Sequence, residues 1–150
     1  CEALMDIAKK IDDVDIVYPI HSNPNIREPG YKYLSKKKNI HLLKPLDYYS
    51  FVYLMEKSYL IMTDSGGIQE EAPSFKKPII VLREETERVE AVKDNLVKLV
   101  GTNKNRIIKE VSQLLKSERY YKKFLKKKNP YGDGKASRRI LKILKERFKR

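Results

Sequence analysis

The chain has 150 residues, with 33 Lys plus Arg against 20 Asp plus Glu and a formal net charge of +13. An apolar content of 41% suits one globular domain with a real core and excludes a disordered chain. No apolar run approaches the roughly 20 residues that span a bilayer. The one cysteine, Cys1, allows no internal disulfide and no cysteine metal cluster, which fits a reducing cytoplasm.

Residues 2–12 read as the end of an amphipathic helix, with Leu4, Ile7, Ala8 and Ile11 at helical spacing. The first residue is Cys1 rather than Met, and the chain is expected to be a piece of a longer protein. Asp15 to Ile20 is rich in β-branched residues and predicts a strand. Two prolines and two asparagines from Pro19 to Asn25 predict a loop. A helix over 28–38, with Pro29 in its first turn, follows. Asn39 to Leu43 is a second strand, Lys44-Pro45-Leu46 a loop, and Asp47 the N-cap of a helix carrying Phe51, Leu54 and Met55.

Tyr59 to Met62 is a third strand. It feeds Thr63-Asp64-Ser65-Gly66-Gly67-Ile68-Gln69-Glu70-Glu71-Ala72-Pro73, where a hydroxyl and two glycines separate a strand from a helix over 68–75. Such a turn gathers backbone N–H groups and suits an anion. It lacks the Lys of a Walker-type loop. On spacing alone a structural turn and an anion site both stand. Ile79 to Leu82 is a fourth strand, apolar throughout, as in a parallel sheet buried on both faces. Residues 83–94 form a charged run. Val97 to Val100 is a fifth strand closed by Gly101, and Thr102 caps a helix to about Leu115. Helices over 118–128 and 135–150 flank the loop Asn129 to Gly134.

Strands alternating with helices predict a doubly wound, mostly parallel α/β sheet, a single Rossmann-like domain over residues 1–150. Ligands of such sheets sit beyond the C-terminal strand ends. Chain order puts His21, Ser65, Arg83 and the 84–90 loop there. The basic excess, much of it in Lys122 to Arg150, has two readings: nucleic-acid binding, or a lysine-rich face beside a site for a polyanionic small ligand. No aromatic-basic interleaving supports the first, so neither nucleic acid nor membrane is expected as a partner.

Three segments together resemble the non-hydrolysing UDP-N-acetylglucosamine 2-epimerases: Val17 to Asn25, Thr63 to Ser74, and Thr86-Glu87-Arg88-Val89-Glu90-Ala91. Leu99-Val100-Gly101-Thr102 and Asn129 to Gly134 agree with them. The resemblance covers essentially the whole chain. It implies the C-terminal half of a two-domain enzyme of the GT-B kind, with this half holding UDP and the absent N-terminal half supplying the acid/base carboxylates. It implies Ser65, Gly66, Gly67 and Arg88 at the diphosphate, Glu71 at the ribose hydroxyls, and Phe51 with the backbone near Leu46 at the uracil. The matching His, His21, lies near the substrate region and a regulatory UDP-sugar site in that family; a loop histidine bonded to backbone is the plain alternative.

These assignments make physical sense, since glycines let backbone approach an anion and Arg grips phosphate bidentately. Plainer roles also stand: Glu71 as a solvated helix carboxylate, Arg88 paired with Glu84 or Glu85, and Phe51 as core; Glu70, about 100° around the helix from Glu71, is structural or a support behind the binding residues. The sequence departs from the family at Val89, where Pro is usual, at Asn95-Leu96, and at Lys76, where Gly is usual. Leu96 is expected to crowd the site edge.

The expected activity of the parent is interconversion of UDP-GlcNAc and UDP-ManNAc by elimination and re-addition of UDP. No cofactor or metal is called for, and no Gly-x-Gly-x-x-Gly is present. The parent is expected to be a cytoplasmic homodimer, and this half alone inactive. The alternatives are the nucleotide half of a UDP-sugar glycosyltransferase and a non-catalytic basic binding module.

Overall fold

The computed structural model describes residues 1–11, 13–125 and 129–148. The elements run α1 (Glu2–Lys10), β1 (Ile16–Pro19), α2 (Pro24–Leu34), β2 (Ile40–Leu43), α3 (Tyr48–Lys57), β3 (Ile61–Thr63), α4 (Gly66–Glu71), β4 (Ile79–Val81), α5 (Val89–Lys93), β5 (Val97–Leu99), α6 (Lys104–Lys116), α7 (Glu118–Leu125) and α8 (Ala136–Arg147). A 3₁₀ turn, Ala72–Phe75, extends α4. All strand pairs are parallel. They form two ladders, β1-β2 and β3-β4-β5.

β4 is the middle strand, and Ile79, Ile80 and Val81 are wholly buried. Burying each side chain contributes about 1.5–3 kcal/mol. Alternation along the strand divides the core. Ile80 joins Ala3 and Ile7 of α1, Ile107, Val111 and Leu114 of α6 and Phe124 of α7. Ile79 and Val81 join Met55 of α3, Ala72, Ala91 of α5, Leu96 and Val97. Helices thus cover both faces, the doubly wound α/β arrangement that the strand pattern predicts. A third cluster, Ala8, Leu34 and Ile40, lies under β1 and β2, and Ile16 of β1 packs on both it and the first cluster, linking the two ladders.

Several boundaries differ from those read in the sequence. α2 starts at Pro24, not at residue 28: Asn23 accepts the Asn25 N–H, and Pro24 takes a first-turn position where its missing N–H costs nothing. Pro29 lies inside this helix. Gly30 is buried there, and a Cβ on it would meet Ile20 Cδ1 at 2.3 Å, so its lack of a side chain sets how closely α2 approaches the end of β1. Asn103, rather than Thr102, caps α6 by accepting the Asn105 and Arg106 N–H groups at 3.0 and 3.1 Å. α5 emerges from the charged run. Leu96 does not crowd the site edge; it is 2% exposed and part of the core. The expected helix ends at 12, 126–128 and 149–150 fall outside the described residues.

Asp47 caps α3 as read, accepting the Ser50 N–H at 3.0 Å and the Ser50 hydroxyl at 2.6 Å. The buried Glu110 carboxylate accepts the Tyr120 hydroxyl. Burial, then this bond, pushes the Tyr120 phenol up to about 12. Arg139 of α8 holds Asp133 through two 2.7 Å bonds, and that guanidinium holds the Asp133 carboxyl down at about 2. No helix among the described residues is long and apolar enough to cross a membrane.

Lys76 and Asn95 both adopt positive φ, 52° each. Asn tolerates this conformation; Lys carries the steric cost of its Cβ. Lys76→Gly is therefore expected to stabilise the fold by about 1 kcal/mol. Denaturant titration would show an unchanged slope and a higher midpoint; an unchanged or lower midpoint would contradict the strain.

Candidate functional site

The strands of each ladder are parallel, so within each ladder the C-terminal ends deliver their loops to one edge. β1 leads to His21, β2 to Leu46, β3 to Ser65, β4 to the loop carrying Arg88, and β5 to Thr102. The ends of β1 and β3 are electrostatic neighbours: burial, then the Asp64 carboxylate, raises the Tyr18 phenol above its ordinary value.

Ser65 is the N-cap of α4, with φ −78° and ψ 129°, and its side chain makes no capping bond. Its N–H instead donates to Thr63 Oγ1 at 3.0 Å. The hydroxyl is left free of a capping role. α4 has only six residues, so its dipole is small. The anion-binding capacity of the turn lies in its N–H groups, the hydroxyl and a nearby cation.

Arg88 is that cation. A Cβ on Gly66 would lie 3.7 Å from Arg88 Nη2 and 3.0 Å from Glu87 Oε1. The guanidinium thus sits beside the glycine turn, and the absent side chain is what lets it. Arg88 does not pair with Glu84 or Glu85. Its Nε contacts Glu70 Oε1, and its Nη1 lies 3.6 Å from Glu87 Oε1. The Nε contact satisfies charge but not hydrogen-bond direction, because that buried N–H has no aligned acceptor among the described residues. Glu84 instead accepts the Thr102 N–H at 3.2 Å and pairs with Arg106.

Glu87 also pairs with Arg83 at 3.0 Å. A backbone hydrogen bond, then the two Arg charges, holds its carboxyl below the usual range. The sequence leaves Glu70 as structural or as a support behind the binding residues, and its contact with Arg88 agrees with the second; it does not show Glu87 as a partner of Arg88. The one available signal was their adjacency to Glu71 and Arg88.

Glu71 faces the start of α3. Its charge is the first cause, and a hydrogen bond the second, of a raised Tyr48 phenol. Phe51, in the first turn of α3, packs on the core cluster that includes Ala72. Leu46 is half-buried just ahead of the Asp47 cap. The glycine turn and Arg88 are thus brought together, Glu71 faces the helix that carries Phe51, and Leu46 lies just before that helix.

His21 is exposed, and its Nδ1 accepts the Asn23 N–H at 3.1 Å. That is the loop-histidine arrangement, and no hydrogen bond among the described residues links it to Ser65 or Arg88. An Nδ1 that accepts leaves a neutral ring's proton on Nε2. His41, the other histidine, contacts Asp15 at 2.7 Å, away from this edge.

The sequence model of the family described as UDP-N-acetylglucosamine 2-epimerase matches residues 1–145. The chain belongs to that family. It is 54% identical over 145 residues to the UDP-N-acetylglucosamine 2-epimerase of Escherichia coli K12, covering 97% of this chain and 39% of that protein. The Campylobacter jejuni enzyme of the same name is 55% identical over 144 residues, covering 96% and 38%.

Among solved structures, the Neisseria meningitidis UDP-GlcNAc 2-epimerase bound to UDP-GlcNAc superposes with a TM-score of 0.91 at 48% identity, over 97% of this chain and 39% of that one. The Methanocaldococcus jannaschii enzyme in complex with UDP-GlcNAc and UDP superposes at 0.76, with 38% identity over 97% and 39%. The chain thus spans about two-fifths of the length of these epimerases.

The Glu71–Tyr48 neighbourhood gives a direct test. Glu71→Gln removes the charge that disfavours the Tyr48 phenolate, so the Tyr48 titration should move down toward the ordinary tyrosine range. A pH titration of the Tyr48 ring resonances checks this. An unmoved midpoint would mean that Glu71 does not face α3.

Proposed function

We propose that this chain is the UDP-binding, C-terminal half of a non-hydrolysing UDP-GlcNAc 2-epimerase. The observation that carries the reading is the Arg88 guanidinium set beside a glycine turn whose serine hydroxyl makes no capping bond. A diphosphate laid on this turn meets the Ser65 hydroxyl, the turn N–H groups and Arg88 together. It would displace the Glu87 carboxylate, which now lies over Gly66. Glu71 accepts from the ribose hydroxyls, and Phe51 with the backbone near Leu46 backs the uracil.

The parent interconverts UDP-GlcNAc and UDP-ManNAc. A base takes the proton from sugar C2, the bond from C1 to the UDP oxygen breaks, and a glycal forms. UDP then adds back at C1 while a proton returns to the opposite face of C2. This half retains UDP while the sugar is detached. Arg88 and the Ser65 turn stabilise the charge that grows on the leaving diphosphate. His21, whose Nδ1 accepts the Asn23 N–H, keeps an Nε2–H that could donate to the sugar or to a second UDP-sugar, the role the family resemblance implies for it.

The carboxylates that move the C2 proton belong to the part of the parent beyond this chain. α8 supports that reading, since Ile140, Leu141, Ile143, Leu144 and Phe148 are 46–74% exposed. A stripe of that kind fits packing onto the rest of the parent. A cytoplasmic location agrees with the single cysteine. A homodimeric parent rests on the family resemblance alone.

Calorimetric titration with UDP tests the proposal. Binding is expected, and Arg88→Ala should weaken it on the order of 10- to 100-fold, as for a charge-assisted hydrogen bond worth about 1.5–3 kcal/mol. Absence of binding to the folded wild-type chain, or an Arg88→Ala variant that binds equally well, would overturn it.

A further inference from the structure

Gln69 is wholly buried in α4, while its neighbours Glu70 and Glu71 are half-exposed. Its Oε1 accepts the Thr86 hydroxyl at 2.6 Å. Thr86 Oγ1 in turn accepts the Arg88 N–H at 3.1 Å. A relay therefore runs from the Arg88 amide through one hydroxyl to the Gln69 carbonyl, and each bond polarises the next. It ties together two segments that follow different strands, β3 and β4. The next residue on the helix, Glu70, holds the Arg88 side chain. Tyr131 closes the third side, its hydroxyl donating to the Arg88 carbonyl at 3.4 Å. The helix that carries the glycine turn at its start thus grips both the main chain and the side chain of Arg88.

An amide is a poor choice for filling an interior. Gln69 Nε2 has no partner among the described residues, and an unmade donor is costly when buried. Met would occupy a similar volume without that cost. The bond to Thr86 is what the polar side chain supplies.

We infer that Gln69 is a positioning residue for the diphosphate grip, fixing Arg88 against the Ser65-Gly66-Gly67 turn through the Thr86 hydroxyl. The inference rests on the reading that Arg88 binds a diphosphate. It adds that the geometry of Arg88 is set by α4 rather than by its own loop, where Val89 leaves the chain without a proline.

Titrations with UDP and with uridine, on the wild-type chain and on Gln69→Met, Thr86→Val, Thr86→Ser and Arg88→Ala, test it. Gln69→Met and Thr86→Val should each lose about tenfold in UDP affinity and almost nothing for uridine. Thr86→Ser keeps the hydroxyl and should bind like wild type. In the Arg88→Ala background, Gln69→Met should cost nothing further. Equal losses for UDP and uridine, or losses that add to that of Arg88→Ala, would reduce Gln69 to a structural residue and overturn the inference.

Amide exchange at Arg88, followed by NMR without ligand, separates this inference from the reading beneath it. Exchange should quicken about tenfold in Gln69→Met and Thr86→Val but not in Thr86→Ser. If the wild type bound no UDP, the functional reading would fall and unchanged exchange would still overturn the relay. Should Gln69→Met not fold, the Thr86→Val and Thr86→Ser pair carries the same comparison.

Discussion

Within each ladder every strand runs parallel to its neighbour, and that constraint organises the rest. A parallel strand can return only through a crossover, so each C-terminal strand end feeds a loop on one edge. β4 enforces it, because Ile79, Ile80 and Val81 are sealed on both faces by helices. The loops after β3 and β4, from adjacent strands, are thereby neighbours without any further device. Glycine at residue 66 then lets them approach until the Arg88 guanidinium lies at van der Waals distance from where a side chain would begin.

The electrostatics at this edge are balanced rather than simply positive. Arg88 contacts Glu70 and Glu87, and Glu87 contacts Arg83. A guanidinium held by carboxylates is oriented before an anion arrives, which lowers the ordering cost of binding. Glu87 is half-exposed and can leave at modest cost, since surface ion pairs contribute little. Glu70 and the Thr86–Gln69 relay remain as supports. The large net charge of the chain is a separate matter, much of its excess lying in the sequence from Lys122 to Arg150.

Much of this was legible in the sequence, because the strands announce themselves as short apolar runs and the helices as periodic stripes. The stretch Thr63 to Pro73 and the Arg88 segment also carried a specific family resemblance. What stayed hidden has identifiable physical causes. Pro24 looked like a breaker, yet proline is at home in a first helical turn, and Asn23 supplied the cap. Thr102 and Asn103 are both capping residues, and only the packed geometry chose between them. α5 has just five residues, too few for a period to show through its charges. Leu96 reads as crowding because it is bulkier than the small polar residue usual there; the left-handed Asn95 before it turns the chain, and Leu96 lies in the core. The Gln69–Thr86 bond joins residues 17 apart through side chains, and no local pattern encodes it.

The central claim is that the strand-end edge, and not the basic helical surface, is where this chain meets a nucleotide diphosphate. Mapping amide chemical-shift changes on adding UDP tests that most directly. The account predicts the largest changes at Ser65, Gly66, Gly67 and Arg88, with smaller ones at Phe51. Changes concentrated on α8 and the lysines around it, with the glycine turn unmoved, would contradict it.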